Sequence, residues 1–327
     1  MVRRSPRLKA KSEAQAEAKV LESAGGAEAA AKVAKKAAAK KATMRITILS
    51  LVGAAVTVYS ALPLAKLDWK YVATWSVGML AAWFILTPIF AGTDTFGKKP
   101  RVAAFNLVAM VPICTLTYYG LTLTFDDNDY RTDPAGGDGV LYRSTHAIPE
   151  SALMCMIQIA YQIFGVVAGL IDQDQLFSTA FITHHVVTGV LGFLNLHPYI
   201  HYQIIYFGGV IEFSNIPLTV FDTFKHFPKL QAAMPSVFLF SKLSFALAFF
   251  VLRWFLWFPN AYGMHSDSYY YLQSGSVHSQ TTVIAVVLGN IFISGLQILW
   301  GIKIAKNVLI SLGIMKYTPR KAKAPAE

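Results

Sequence analysis

Eight long apolar runs, broken by short polar stretches, dominate the chain, at about residues 46–65, 71–91, 102–125, 151–171, 176–195, 200–221, 235–258 and 281–312. A helix needs about 20 apolar residues to cross a hydrocarbon layer ~30 Å thick. Each run therefore predicts a transmembrane helix, and the set predicts an all-α integral membrane protein of about eight spans. The polar residues inside the runs are not scattered. The sixth run carries Gly208, Glu212, Asn215, Thr219 and Asp222, the fourth Gln158, Gln162, Gly165 and Gly169, the eighth Asn290, Ser294, Gln297 and Gly301. In the fifth, His184, Thr188 and Asn195 share a face. Steps of three and four put each set on one side of its helix. Lipid satisfies no hydrogen bonds, so the stripes must face inward. Polar residues singly serve as interhelical glue at about 0.6 kcal/mol per bond, but four stripes together predict a partly hydrated cavity lined by Gln158, Gln162, Thr188, Ser214, Asn215, Thr219, Lys242, Asn290 and Gln297.

The most informative stretch runs from His184 to Asp222, two apolar helices joined at Leu196-His197-Pro198. His185 lies thirteen residues before Pro198 and Glu212 fourteen after it. In an antiparallel hairpin equal distances from the bend mean equal depth, here roughly 20 Å from it at ~1.5 Å per residue. That is near the middle of the hydrocarbon layer, where ionisable groups are costly and usually functional. His184, His185 and Glu212 are therefore the candidate catalytic residues. Adjacent histidines on a helix point about 100° apart, which argues against a shared metal, and no metal or bound cofactor is expected.

Other charges are placed by the same arithmetic. Lys242 can reach the depth of Glu212 and is the expected ion-pair partner. Arg253 is expected on the same face three turns later, snorkelling among Trp254 and Trp257 near the interface. Lys303 and Lys306 read as interfacial anchors. Pro217 removes a backbone donor and predicts a kink just beyond Glu212.

Composition sharpens the picture. The chain has 327 residues, 54% hydrophobic and 14% charged, against roughly 25% charged for soluble domains. Its net charge is +11, of which residues 1–43 carry eleven Lys/Arg and four Glu, or +7. This low-complexity tail lacks a signal-peptide core. It is expected to be a disordered cytosolic arm able to touch anionic lipid, with no nucleic-acid partner. The loop 97–101, the loop 222–234 and the tail 313–327 are basic too, whereas 126–150 and 259–280 are acidic or nearly uncharged. Basic loops face the cytosol, so both termini are expected there. Loop 126–150, DDNDYRTDPAGGDG at its start, does not match a calcium-loop spacing and reads as a solvated turn. Tyr269, Tyr270 and Tyr271 in 259–280 read as an interfacial aromatic belt. Cys114 and Cys155 both fall inside apolar runs and supply no disulfide framework.

Three motifs resemble the TLC domain, the family of TRAM, the Lag1-type ceramide synthases and the CLN8 protein. They are the tandem His184-His185, the helix Gly208-Gly209-Val210-Ile211-Glu212-Phe213-Ser214-Asn215-Ile216-Pro217-Leu218, and the closing Leu296-Gln297-Ile298-Leu299-Trp300. The resemblance spans about 98–312 and implies a TLC-type helical bundle, with residues 44–97 as two extra spans outside it. It departs from the synthases at one step. They carry His-Asp-x-Ser-Asp where this chain has Ile211-Glu212-Phe213-Ser214-Asn215, so the sequence is more similar to the divergent TLC-domain proteins linked to membrane lipid composition.

The expected function is binding or processing of membrane lipid in an intramembrane polar cavity, in lipid metabolism or homeostasis. The resemblance implies the endoplasmic reticulum. One alternative is an acyltransferase of ceramide-synthase type, with acyl-CoA as co-substrate and the histidine pair as base or acyl acceptor. Another is a non-catalytic cargo receptor or translocation accessory.

Overall fold

The computed structural model describes residues 67–126, 133, 136–176, 178–311 and 314–315. The apolar run at 46–65 and the tail 1–43 lie outside the described residues, as does nearly all of 313–327. Among the described residues the chain is helical throughout: Trp69–Ala91 (α1), Pro100–Thr124 (α2), Gly139–Thr145 (α3), Pro149–Ile171 (α4), Thr179–Leu194 (α5), His201–His226 (α6), Pro228–Ala233 (α7), Pro235–Gln273 (α8) and Gln280–Ser311 (α9). Six of these, all but α3, α5 and α7, are long and apolar enough to cross a membrane. Of the eight expected spans the first lies outside the described residues, and the other seven correspond to the six membrane-length helices and the shorter apolar α5, whose 16 residues extend about 24 Å at ~1.5 Å each.

Local chemistry sets most boundaries. The Asp68 carboxylate accepts from the backbone N–H of Lys70 and Tyr71 and starts α1, a side-chain cap for the first free donors of the helix. Asp138 does the same for α3 through Val140 and Leu141, which puts a short helix inside the stretch expected to be a simple turn. Ser178 caps α5 through Phe181. Pro100, Pro149 and Pro235 open α2, α4 and α8, where a missing N–H leaves nothing unsatisfied.

Two helices depart from α geometry. In α6 a π-turn at Ile205–Gly209 leads into a tight 3-10 turn at Val210–Ser214, and the regular helix restarts at Asn215. Pro217 falls in the first turn of that restart, so the distortion lies before it rather than after. In α8 a π-turn occupies Val251–Phe255, closed by the Leu256 N–H on the Val251 carbonyl at 3.0 Å. Pro259 falls just beyond it, at the start of Trp257–Gln273, where the ladder is already interrupted. That is why the helix runs on to Gln273 instead of ending near 258, and why only 274–279 is loop. Tyr271 is buried rather than interfacial, while Tyr269 and Tyr270 are exposed.

The core forms where α2 and α4 are enclosed by α1 and α6. Phe105 of α2 stacks on Phe164 of α4 at 5.1 Å, and Trp83 of α1 meets Phe164 edge-on. Trp83 also donates its indole N–H to the Arg101 carbonyl at 3.0 Å. The opposite face of α1, with Val77, Phe84, Ile85 and Ile89, is exposed, as a lipid-facing surface should be. Backbones meet where α2 crosses the π-turn of α6: a Cβ on Gly209 would lie 2.5 Å from Gly120 Cα. Only paired glycines permit that approach.

Candidate functional site

The hairpin arms do not close on each other. α5 packs on α4 and α9, whereas α6 packs on α2, α4 and α8. The turn between them passes through Ile200, whose φ is +53°. A β-branched residue there is strained and is held by burial at 2% exposure. Between the splayed arms lies a chamber of about 540 Å³, within the ~300–1,000 Å³ usual for small-molecule sites.

The chamber follows α9 from Val286 to Ile304, roughly 27 Å at ~1.5 Å per residue. At one end Met154, Asn195, Ile200, Met264 and Val286 are buried. At the other Ser178, Ala180 and Lys303 are exposed, so the chamber is open towards Lys303 and closed towards Met264. A polar band crosses its middle. His184, His185, Glu212, Gln158, Gln162, Thr188, Asn215, Thr219, Asn290 and Gln297 all contribute to the lining. The equal count from Pro198 therefore corresponds to one chamber that His185 and Glu212 both line, from the two arms of an open hairpin. Two expected lining residues do not contribute. Ser214 is fully buried behind the wall, donating to the Ile211 carbonyl at 2.8 Å. Lys242 is half-buried on α8 and outside the lining.

Arg253 occupies the place expected of Lys242. It is 5% exposed, lines the chamber, and donates to Ser214 Oγ at 2.7 Å and to the Ile211 carbonyl at 3.3 Å. Its charge acts on both Glu212 and His184. The expected snorkelling to the interface does not occur. The π-turn at Val251–Phe255 breaks the α-helical count on which Lys242 and Arg253 would share a face, and carries Arg253 inward. Glu212 is held from the other side by Asn215, whose Nδ2 donates to Oε2 at 2.6 Å.

The imidazoles are packed rather than hydrogen-bonded. His185 lies against Phe181 at 4.1 Å and Tyr161 at 5.7 Å between ring centroids, and His184 meets Trp300 edge-on at 5.5 Å. Gly165 makes room, since a Cβ there would stand 2.5 Å from the His185 ring. The Glu212 charge also acts on Tyr161 of α4, the tyrosine whose ring meets that of His185. Seven residues of the lining keep a buried polar atom without a hydrogen-bond partner: Gln158, Gln162, His184, His185, Thr188, Asn195 and Gln297. Buried polar groups are normally satisfied, so such a concentration sets this lining apart from an ordinary apolar core. Sequence reasoning missed Tyr161 and Trp300 because aromatic residues in apolar runs carry no distinguishing signal. It misplaced Arg253 because a π-turn leaves no mark on hydropathy.

Compared with known families, the chain matches the TLC domain over residues 103–306. No curated protein and no solved structure matches it.

Proposed function

The chain belongs to the TLC domain family, and from that premise we propose that it binds or processes a membrane lipid in the chamber between α5 and α6. The observation that carries this reading is the chamber itself: mostly apolar at its closed end, polar at mid-height, with a histidine pair, a carboxylate and a guanidinium in its lining. An acyl chain suits the first part and a polar headgroup the second. The departure at Ile211 and Asn215 aligns the protein with the divergent TLC-domain proteins of lipid homeostasis rather than the synthases. We place it in the endoplasmic reticulum with both termini cytosolic. Tags at the two ends should then become accessible together when only the plasma membrane is permeabilised; a C-terminal tag that stays protected alone would overturn that orientation.

Acyl transfer is the second reading, favoured by the presence of the His184–His185 pair and Glu212 in the lining of one chamber. An imidazole would take a proton from the acceptor or receive the acyl group, with Glu212 orienting it. Lipid profiling of cells with and without the protein tests both. The His184→Ala/His185→Ala double variant should reproduce the profile of the deletion if the pair is chemically active. A wild-type profile in that variant, alongside a changed profile in the deletion, would leave binding or cargo handling as the function.

A further inference from the structure

Two groups of opposite charge stand in the chamber lining without meeting. Glu212 and Arg253 are each 5% exposed, and both line the chamber. The guanidinium donates to the carbonyl of Ile211, the residue before Glu212, so it is anchored beside the backbone that carries the carboxylate. No ion pair joins them: the pairs among the described residues are Arg143–Asp267, Lys225–Asp222 and His226–Asp222. Each is instead tied back by an uncharged neighbour. Asn215 Nδ2 donates to Oε2 of Glu212 at 2.6 Å, and Nε of Arg253 donates to Ser214 Oγ at 2.7 Å. These bonds leave Oε1 of the carboxylate and Nη1 of the guanidinium unused.

Charges buried this deeply are costly unless they are paired. A fold that needed them only neutralised would let them close on each other. A group from outside the chain completes both at once if it carries both signs. A purely anionic head would complete Arg253 and be repelled by Glu212, a purely cationic one would do the reverse, and an uncharged one would leave both as they are. An ammonium donates to Oε1 of Glu212 and a phosphate oxygen accepts from Nη1 of Arg253, both charge-assisted bonds of the stronger kind. The amides of Gln158 and Gln162, in the same lining, offer further donors to phosphate oxygens.

We propose that the chamber selects a zwitterionic lipid head, one phosphate and one primary ammonium, with the ammonium on Glu212 and the phosphate on Arg253. This rests on the lipid-binding reading above and names the head-group class for the same site. The acyl chain lies in the closed end, among Met154, Ile200, Met264 and Val286. Lys303 stands exposed at the open end, where it attracts the phosphate of any phospholipid and so does not choose between heads.

The test uses the full-length protein, immobilised in detergent, and radiolabelled probes that share an oleoyl or oleyl chain. Lysophosphatidylethanolamine carries both charges, lysophosphatidate the anion alone, oleylamine the cation alone and monooleoylglycerol neither. Lysophosphatidylethanolamine should bind about tenfold more tightly than each of the others, the worth of one charged hydrogen bond. Glu212→Gln should erase its advantage over lysophosphatidate and spare its advantage over oleylamine. Arg253→Gln should do the opposite. General loosening of the fold would weaken all four probes together instead. Wild-type preference for any other probe, equal binding of all four, or folded variants that keep the wild-type ranking would overturn the proposal while leaving lipid binding in place. Failure of every probe to bind overturns the lipid-binding reading, and the proposal with it. If neither variant elutes as folded protein, the wild-type ranking of the probes decides.

Discussion

Gly165 determines how close the His185 ring can stand to α4. Replacing it with Ala puts a Cβ 2.5 Å from Cε1 and Nδ1 of that ring, so the imidazole must leave its place against Phe181 and Tyr161. Overpacking of this kind costs about 1–3 kcal/mol. Gly165→Ala should therefore lower the melting temperature modestly and abolish any lipid phenotype that depends on His185, as parallel melting and lipid profiling would show. A second residue acts in the loops. His278 stacks on His197 at 3.8 Å and 14°, outside the membrane-crossing helices. Burial, and then the facing His197, push its pKa down to about 4 from 6.5. The unfolded chain thus binds a proton where the folded one does not. Stability that depends on the uncharged stack is complete above pH 6.5 and is lost as the pH falls towards about 4. His278→Phe keeps a ring on His197 and removes the titration. Melting curves taken across that interval should flatten in this variant, and an unchanged pH dependence would show that another group controls it.

At the scale of the helices, a bidentate pair joins α3 to α8, beside the Tyr270 hydroxyl that donates to Asp138 at 2.7 Å. Arg143 donates Nε and Nη2 to Asp267 at 3.0 and 2.8 Å, and Gln203 of α6 donates to the same carboxylate at 3.0 Å. Asp267 is 8% exposed, so Asp267→Asn removes the carboxylate that accepts both guanidinium bonds. Loss of a charged hydrogen bond of this sort costs about 1–3 kcal/mol, and protease cleavage between residues 133 and 148 should accelerate first. Cleavage at the wild-type rate would mean that α3 is held by other contacts. A harsher result is expected where α2 crosses α6. Gly209→Ala drives a Cβ into the Gly120 backbone, which cannot step aside as a side chain can, and little folded protein should survive extraction.

Across the described residues, the order and approximate extent of the apolar helices were legible in the sequence because hydropathy reports length and composition directly. The inward stripes were legible for a related reason: lipid forbids the alternative, so period alone identifies the buried face. Gln158, Gln162, His184, His185 and Glu212 could be placed together on that basis. What escaped was everything that depends on departures from 3.6 residues per turn. The sequence of α8 offers Lys242 and Arg253 as equivalent cations, and the π-turn chooses between them. The sequence of 259–280 looks like loop, and the same π-turn lets Pro259 pass without ending the helix. The basic tail makes a separate prediction. Deleting residues 1–43, which lie outside the family match at 103–306, should leave the melting temperature of the bundle unchanged; a loss of folded protein would assign the tail a part in the core.

The two π-turns, at Ile205–Gly209 and Val251–Phe255, also determine how this chain tolerates change in length. A π-turn inside an α-helix accommodates roughly one residue more than the regular ladder would hold. Removing one codon there would restore the ladder with little change of phase downstream, but the residues inside the turn would lose the positions that the extra residue gives them. At Val251 that change would shift Arg253, which lies inside the turn, from its place in the chamber lining while leaving Asp267 on its own face of the helix. Single-codon deletions in the 274–279 loop change only its slack. In descendants of this chain, gaps should accumulate in the connections and be purged from two five-residue windows, although neither window contains the histidines.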